Sequence, residues 1–317
     1  MNACTKLSSN LPRGSLVALI TPFLHDGSVD LQKFRTLIDW HIGQGTSGIV
    51  VAGTTGESST LSIEEHGRLL VEAAQHAAGR IPIVAGVGAN ATSEAIALAR
   101  IASEAGADAL LSVVPYYNKP TQDGLFRHFS AQAEVTSLPL ILYSVAGRTV
   151  VDFSVETVQR LAAHPNICGI KDASGDMIRA QAIASVVPTD FALYSGDDFT
   201  ALPYVAVGGW GIISVTANVA PRMVADLCAY MALGQLDMAR TVARKLHPLT
   251  TALFCESNPI AVKHAVSLLG LSAPMLRLPM TSLPPELAEC VAVAMREAGL
   301  PIANRNTVTH SGVVDPK

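Results

Sequence analysis

The chain has 317 residues, 49% of them hydrophobic and 15% charged, with a net charge of −4. So apolar a composition supplies a sizeable core and excludes a disordered chain. With no basic block, it also argues against nucleic acid as a partner.

Taken in order, short apolar runs alternate with helical patterns. LVALITPF near 16–23 is the first predicted strand, and GIVVAGTTG near 48–56 the second, ending in Thr54, Thr55, Glu57 and Ser58. The segment after it pairs Ser62 with Glu65 three residues on, a capping box. IPIVAGVG near 81–88 leads into GVGANA, which resembles a dinucleotide fingerprint. The next strand, ADALLSVVP near 107–115, ends without the acid such a site needs, so a tight strand-to-helix turn is the better reading. That fourth strand runs into Tyr116, Tyr117, Asn118 and Lys119, and the fifth, LPLILYSV, into Tyr143 and Arg148. ICGIKDA carries Lys171 and Asp172, FALYSGDD carries Asp197 and Asp198, and GIISVTAN is the eighth. The uncharged stretch 199–221 is broken by Pro203, Gly208, Gly209 and Gly211, which predicts a short helix, a turn and a core strand rather than a membrane span.

Continuous apolar strands are buried on both faces, the mark of a parallel sheet. Eight strand–helix units over roughly 200 residues match an α/β fold of the (β/α)8 TIM-barrel type, expected over 14–220. Residues 221–300 are expected to form a C-terminal helical domain, and 301–317 a flexible tail. Five scattered cysteines, Cys4, Cys168, Cys228, Cys255 and Cys290, contain no C-x-x-C pair. They read as reduced thiols of a cytoplasmic protein without a zinc site or disulfide frame. No secretory leader is expected at the N-terminus.

A barrel presents its reactive groups at the C-terminal ends of its strands. Lys171 closes an apolar run there, where a lysine either snorkels to solvent or is desolvated toward its neutral, nucleophilic form. Near such an amine, Tyr143, Tyr117 and Thr54 are the side chains able both to donate and to accept a proton. The GTTG segment offers two backbone N–H groups to a carboxylate, and Arg148 a fork for a second one. Each has a plainer reading: a capping turn, a core tyrosine, an interface patch at Tyr116–Tyr117, or a surface pair of Arg148 with Asp152 or Glu156. Asp197 and Asp198 read as caps of the next helix. None of the nine histidines ends a predicted strand, so no catalytic metal is expected.

The segments GTTGESSTLS, PYYNKPTQDGLFRHF, LILYSVAGRT, GIKDASGD, YSGDD and GIISVTANVAP fall in order at consecutive strand ends. Over residues 14–300 they resemble the dihydrodipicolinate synthase family, pyruvate-dependent class I aldolases related to N-acetylneuraminate lyase. The resemblance implies condensation of pyruvate with L-aspartate 4-semialdehyde in lysine and diaminopimelate biosynthesis, through a Schiff base on Lys171 and with no cofactor. It implies a proton relay of Thr54, Tyr117 and Tyr143, with Tyr117 donated by a neighbouring subunit of a homotetramer built as a dimer of dimers. Thr55 with Thr54 matches the pyruvate carboxylate site, Arg148 the semialdehyde carboxylate site, and Gly196 and Ile213 the lining of the pyruvate pocket. Ser58, His66, Asn90, Glu94 and Tyr116 match a lysine feedback site. Ile63 stands where regulated members often have histidine, so weak or absent inhibition is expected. Ser144 and Ala146 replace the family's usual asparagine and proline, which leaves a lyase acting on a sugar acid or another keto acid as the alternative. A non-catalytic keto-acid sensor is a third reading, opposed by the intact lysine, threonine and tyrosines.

Overall fold

Apolar runs of four to six residues form eight parallel strands in the computed structural model, which describes residues 7, 8 and 10–302. The strands are β1 (Gly14–Ala18), β2 (Gly48–Val51), β3 (Ile83–Gly86), β4 (Ala109–Val113), β5 (Leu140–Ser144), β6 (Ile167–Asp172), β7 (Ala192–Ser195) and β8 (Gly211–Ser214). Each pairs with the next, and β8 closes on β1, so the sheet is a barrel without free edges.

Helices α1 (Leu31–Gln44), α2 (Ile63–Ala77), α3 (Thr92–Glu104) and α4 (Gln122–Ala133) follow the first four strands. A single turn, α5 (Ala146–Thr149), precedes α6 (Val155–Ala162). Then come α7 (Met177–Val186), α8 (Ala201–Ala206) and α9 (Pro221–Ala232). Start signals are local: Ser62 and Glu65 close the expected capping box on α2, and Asp176 accepts from the amides of Ile178 and Arg179 at the head of α7. The uncharged stretch resolves into α8, a turn and β8, and no helix among the described residues is long and apolar enough to cross a membrane.

Helix α9 packs on β1 and β8 and fills the eighth helical position of the barrel. Helices α10 (Leu236–Leu253), α11 (Ile260–Leu268) and α12 (Pro285–Glu297) pack on one another as the C-terminal extension. Cys4 and the expected tail from residue 303 onward lie outside the described residues.

Two apolar layers hold the barrel. Leu16, Val50, Val84, Leu111, Ile141, Tyr143 and Ile213 fill its interior. Val17, Ile49, Val51, Leu142 and Ile170 face outward against the helices. Inside and outside alternate along the strands, as the pleat requires, with one exception in β6.

Candidate active site

The alternation fails once, and the failure positions the lysine. In β6, Ile167 faces the helices and Cys168 the interior, but Ile170 faces the helices again. A register shift opposite Leu140–Ile141 inserts one residue, so Ile141 pairs with Gly169 and Tyr143 with Lys171. This is a β-bulge, and it resets the parity of everything beyond it. Without it Ile170 would point into the barrel and Lys171 into the helical layer. Gly169 is required there, because a Cβ would sit 2.6 Å from the Ala192 carbonyl oxygen.

Lys171 is 5% exposed, with Nζ 4.2 Å from the centre of the Tyr143 ring. No carboxylate among the described residues pairs with it. A buried lysine engaged in no carboxylate pair keeps its amine available to whatever enters the barrel mouth. Gly196 packs against its stem: a Cβ there would meet Lys171 Cε at 2.9 Å and Cγ at 3.0 Å. Ile213 is fully buried in the same interior layer.

The GTTG loop continues β2 at the same mouth. The amides of Thr54 and Thr55 have no acceptor among the described residues, so two N–H groups stay available. Thr55 is buried, and its Oγ accepts from Asn258 Nδ2 at 2.8 Å, which leaves its own O–H free to donate elsewhere. Thr54 opens onto a cavity of about 330 Å³ that Arg148 also lines.

Arg148 makes neither of the surface pairs considered for it. Its Nη2 donates to the Asn258 carbonyl oxygen at 2.9 Å. Asp152 instead accepts from Ser144 Oγ at 2.6 Å and sits 3.5 Å from Arg179, which also donates from Nε to Asp172 at 3.2 Å. Ser144 thus ties the end of β5 to the residue beside Lys171. Asp197 caps the short helix that follows it. Asp198 departs from that reading: half-buried, it accepts from Ser214 Oγ and from the amides of Val215 and Thr216, joining the end of β7 to β8. Burial pushes its carboxyl upward.

Ser58, His66, Glu94 and Tyr116 line the same cavity as Thr54 and Arg148, together with Ile63. His66 Nε2 lies 2.7 Å from the Gly86 carbonyl oxygen, and burial lowers its basicity. Asn90 stands apart from that lining; its carbonyl accepts from Asn118. Tyr117 is 90% exposed, with φ at +75°, and does not line the cavity of its own chain. His66 apart, no histidine lies near this mouth in a shared cluster, and no group of three or more His, Cys, Asp or Glu among the described residues is placed to hold a metal.

Sequence reasoning missed Asn258, Lys263, Arg277 and Arg179. One signal was present for Lys263: it is the lone charge in the apolar run PIAVKHAV. The others needed contacts between residues far apart in the chain.

The family model described as the Dihydrodipicolinate synthetase family matches residues 11–298. Curated relatives named 4-hydroxy-tetrahydrodipicolinate synthase from Azoarcus sp. (strain BH72) and Thiobacillus denitrificans are 55% and 56% identical to the chain. They cover 90% and 91% of it and 98% and 97% of their own lengths. Among solved structures, the chloride-inhibited dihydrodipicolinate synthase from Acinetobacter baumannii complexed with pyruvate is 50% identical, with a TM-score of 0.90 over 91% of this chain and 99% of that one. A dihydrodipicolinate synthase from Cyanidioschyzon merolae with lysine bound is 37% identical, with a TM-score of 0.88 over 91% and 99%.

Proposed function

The chain belongs to the dihydrodipicolinate synthetase family, and from that membership and its site we infer a lyase that condenses pyruvate with L-aspartate 4-semialdehyde in lysine and diaminopimelate biosynthesis. The names of its relatives favour this reaction over cleavage of a sugar acid. The observation that carries the chemistry is Lys171, buried and without a carboxylate partner among the described residues, facing Tyr143 inside the barrel.

In this reading the Lys171 amine attacks the pyruvate ketone and, with loss of water, forms a Schiff base. The imine nitrogen then serves as the electron sink when a methyl proton leaves, so the protein supplies that chemistry without a cofactor. The amides of Thr54 and Thr55, with the Thr55 hydroxyl, hold the pyruvate carboxylate. Tyr143, Thr54 and Tyr117 move the protons. Arg148 holds the carboxylate of the aldehyde, oriented by its bond to Asn258. Gly196 and Ile213 shape the pocket around the methyl group.

The exposure of Tyr117 on its own chain supports its donation to a second copy, in a homotetramer assembled as a dimer of dimers. The free thiols of Cys228, Cys255 and Cys290 fit the cytoplasm. Ile63, beside Ser58, His66, Glu94 and Tyr116, offers an incoming lysine no polar group, which supports weak or absent feedback inhibition. Half-inhibition by sub-millimolar L-lysine would overturn that expectation.

Borohydride reduction in the presence of pyruvate tests the reading directly. The expected result is one pyruvate-derived mass increment on Lys171 that is lost in Lys171→Ala. An unmodified wild-type chain would sink it.

A further inference from the structure

The loop from Gly53 to Glu57 leaves the barrel before α2, yet most of what fastens it comes from the far end of the chain. The barrel itself supplies Thr21, whose Oγ donates to the Gly56 carbonyl oxygen at 2.7 Å. Asn258, just before α11, donates to Thr55. Lys263, within α11, donates from Nζ to Glu57 Oε1 at 2.6 Å, and the Arg277 amide donates to Glu57 Oε2 at 3.1 Å. Lys263 is fully buried and Glu57 is 4% exposed. The ammonium also lies 4.1 Å from the centre of the Phe23 ring.

Two features make this pair more than a structural tie. Glu57 sits at φ 55° and ψ 38°, a left-handed conformation that a non-glycine residue holds only when its surroundings impose it. A buried ion pair is also a poor way to gain stability, since apolar residues of the same volume generally do as well or better. Burial holds the Lys263 ammonium down to about 8 even beside a carboxylate. Ala52, at φ 53°, is left-handed too, so two strained residues bracket the loop carrying Thr54 and Thr55, and the fold bears an electrostatic cost at the second of them.

We infer that Lys263 is a positioning residue of the pyruvate carboxylate site: by clamping Glu57 it fixes the turn that aims the Thr54 and Thr55 amides. The C-terminal extension is then a working part of the active site rather than only a cover for the barrel. This inference rests on the reading of Lys171 and the GTTG loop as the pyruvate site.

The test compares the wild type with Lys263→Met, Glu57→Gln, Lys263→Arg and the double variant Glu57→Leu/Lys263→Met. Half-saturating pyruvate is read by borohydride trapping, half-saturating semialdehyde by the condensation assay, and folding by thermal melting. Lys263→Met and Glu57→Gln are expected to raise half-saturating pyruvate about tenfold, a loss of one tenfold step in affinity, while the semialdehyde requirement stays within about twofold. Lys263→Arg, which keeps the charge, recovers part of the loss. The double variant melts close to the wild type but keeps the raised pyruvate requirement. Glu57→Gln is nearly isosteric and keeps the test open should Lys263→Met fail to fold. The inference is overturned if the folded double variant saturates with pyruvate like the wild type. It is equally overturned if the variants lose only active fraction, with both half-saturations unchanged. A wild type that traps pyruvate alongside such variants leaves the functional reading standing; a wild type that traps none removes both.

Discussion

At Lys171 burial and the proposed function coincide. An amine that a barrel buries opposite a tyrosine, with no carboxylate to neutralise it, is spared from structural duty. Its immediate neighbour makes the position sensitive. Gly196→Ala would press a methyl against Cε and Cγ of the lysine, which must then shift by several tenths of an ångström. That variant should fold, but its rate of Schiff-base trapping with pyruvate should fall at least tenfold, since small misplacements of reacting groups have large kinetic effects. In the proposed reaction Arg148 acts on the other substrate. Its guanidinium is exposed and held by one carbonyl, so Arg148→Ala should lower kcat/KM for the semialdehyde by about 2 kcal/mol, the scale of a hydrogen bond to a charged group. Pyruvate trapping should be unchanged in the same protein. A loss of both would assign Arg148 a different role.

Among the elements, β6 shows how a backbone irregularity chooses which side chain faces the barrel interior. The extra residue opposite Leu140–Ile141 turns the side chain at 171 from the helical layer to the interior. Gly169 lets that bulge lie against β7, where any side chain collides with the Ala192 carbonyl. Gly169→Ala is expected to destabilise the protein by about 1–3 kcal/mol, the usual effect of overpacking a tight interior. It should also slow pyruvate trapping, because relief of the clash moves Lys171. Urea denaturation together with trapping measures both. Helix α2 offers a contrast: its capping box is local, so Ser62→Ala should cost about 1 kcal/mol by the same denaturation and leave pyruvate saturation untouched.

For the whole molecule, buried histidines link stability to pH. Burial holds His41 down to about 3 and His128 to about 4, so both are neutral in the folded protein near neutrality. Their folded values lie below the unfolded value of about 6.5. As pH falls below 6.5 the unfolded chain binds these protons first, so stability is full above 6.5 and drains toward 4 and then 3. Each histidine contributes a slope of about 1.4 kcal/mol per pH unit inside its window. Melting temperatures should therefore fall steadily from pH 6.5 to 4.5, and the slope should be shallower in His41→Gln. Assembly belongs to the same scale. In the proposed assembly, with Tyr117 exposed and outside the lining of its own chain's cavity, Tyr117→Phe should lower kcat without changing the mass measured by sedimentation, and dissociation to monomers should lower activity in step.

The sequence by itself determined the eight strand–helix units and the Ser62–Glu65 cap, and named candidates for Schiff-base chemistry, because pleat alternation, capping spacing and side-chain chemistry are local properties. The resemblance of six ordered motifs added the reaction. Only the tertiary structure decided which way Lys171 faces, because one inserted residue in β6 inverts the pattern in a way no periodicity reveals. It also decided that α9 belongs to the barrel, that Asp198 serves β8 rather than a helix cap, and that Asn258 and Lys263 hold a loop some two hundred residues away in the chain. Those are contacts of closure: they exist because a barrel and its extension bring distant segments together, and nothing short-range in the chain encodes the distance between them.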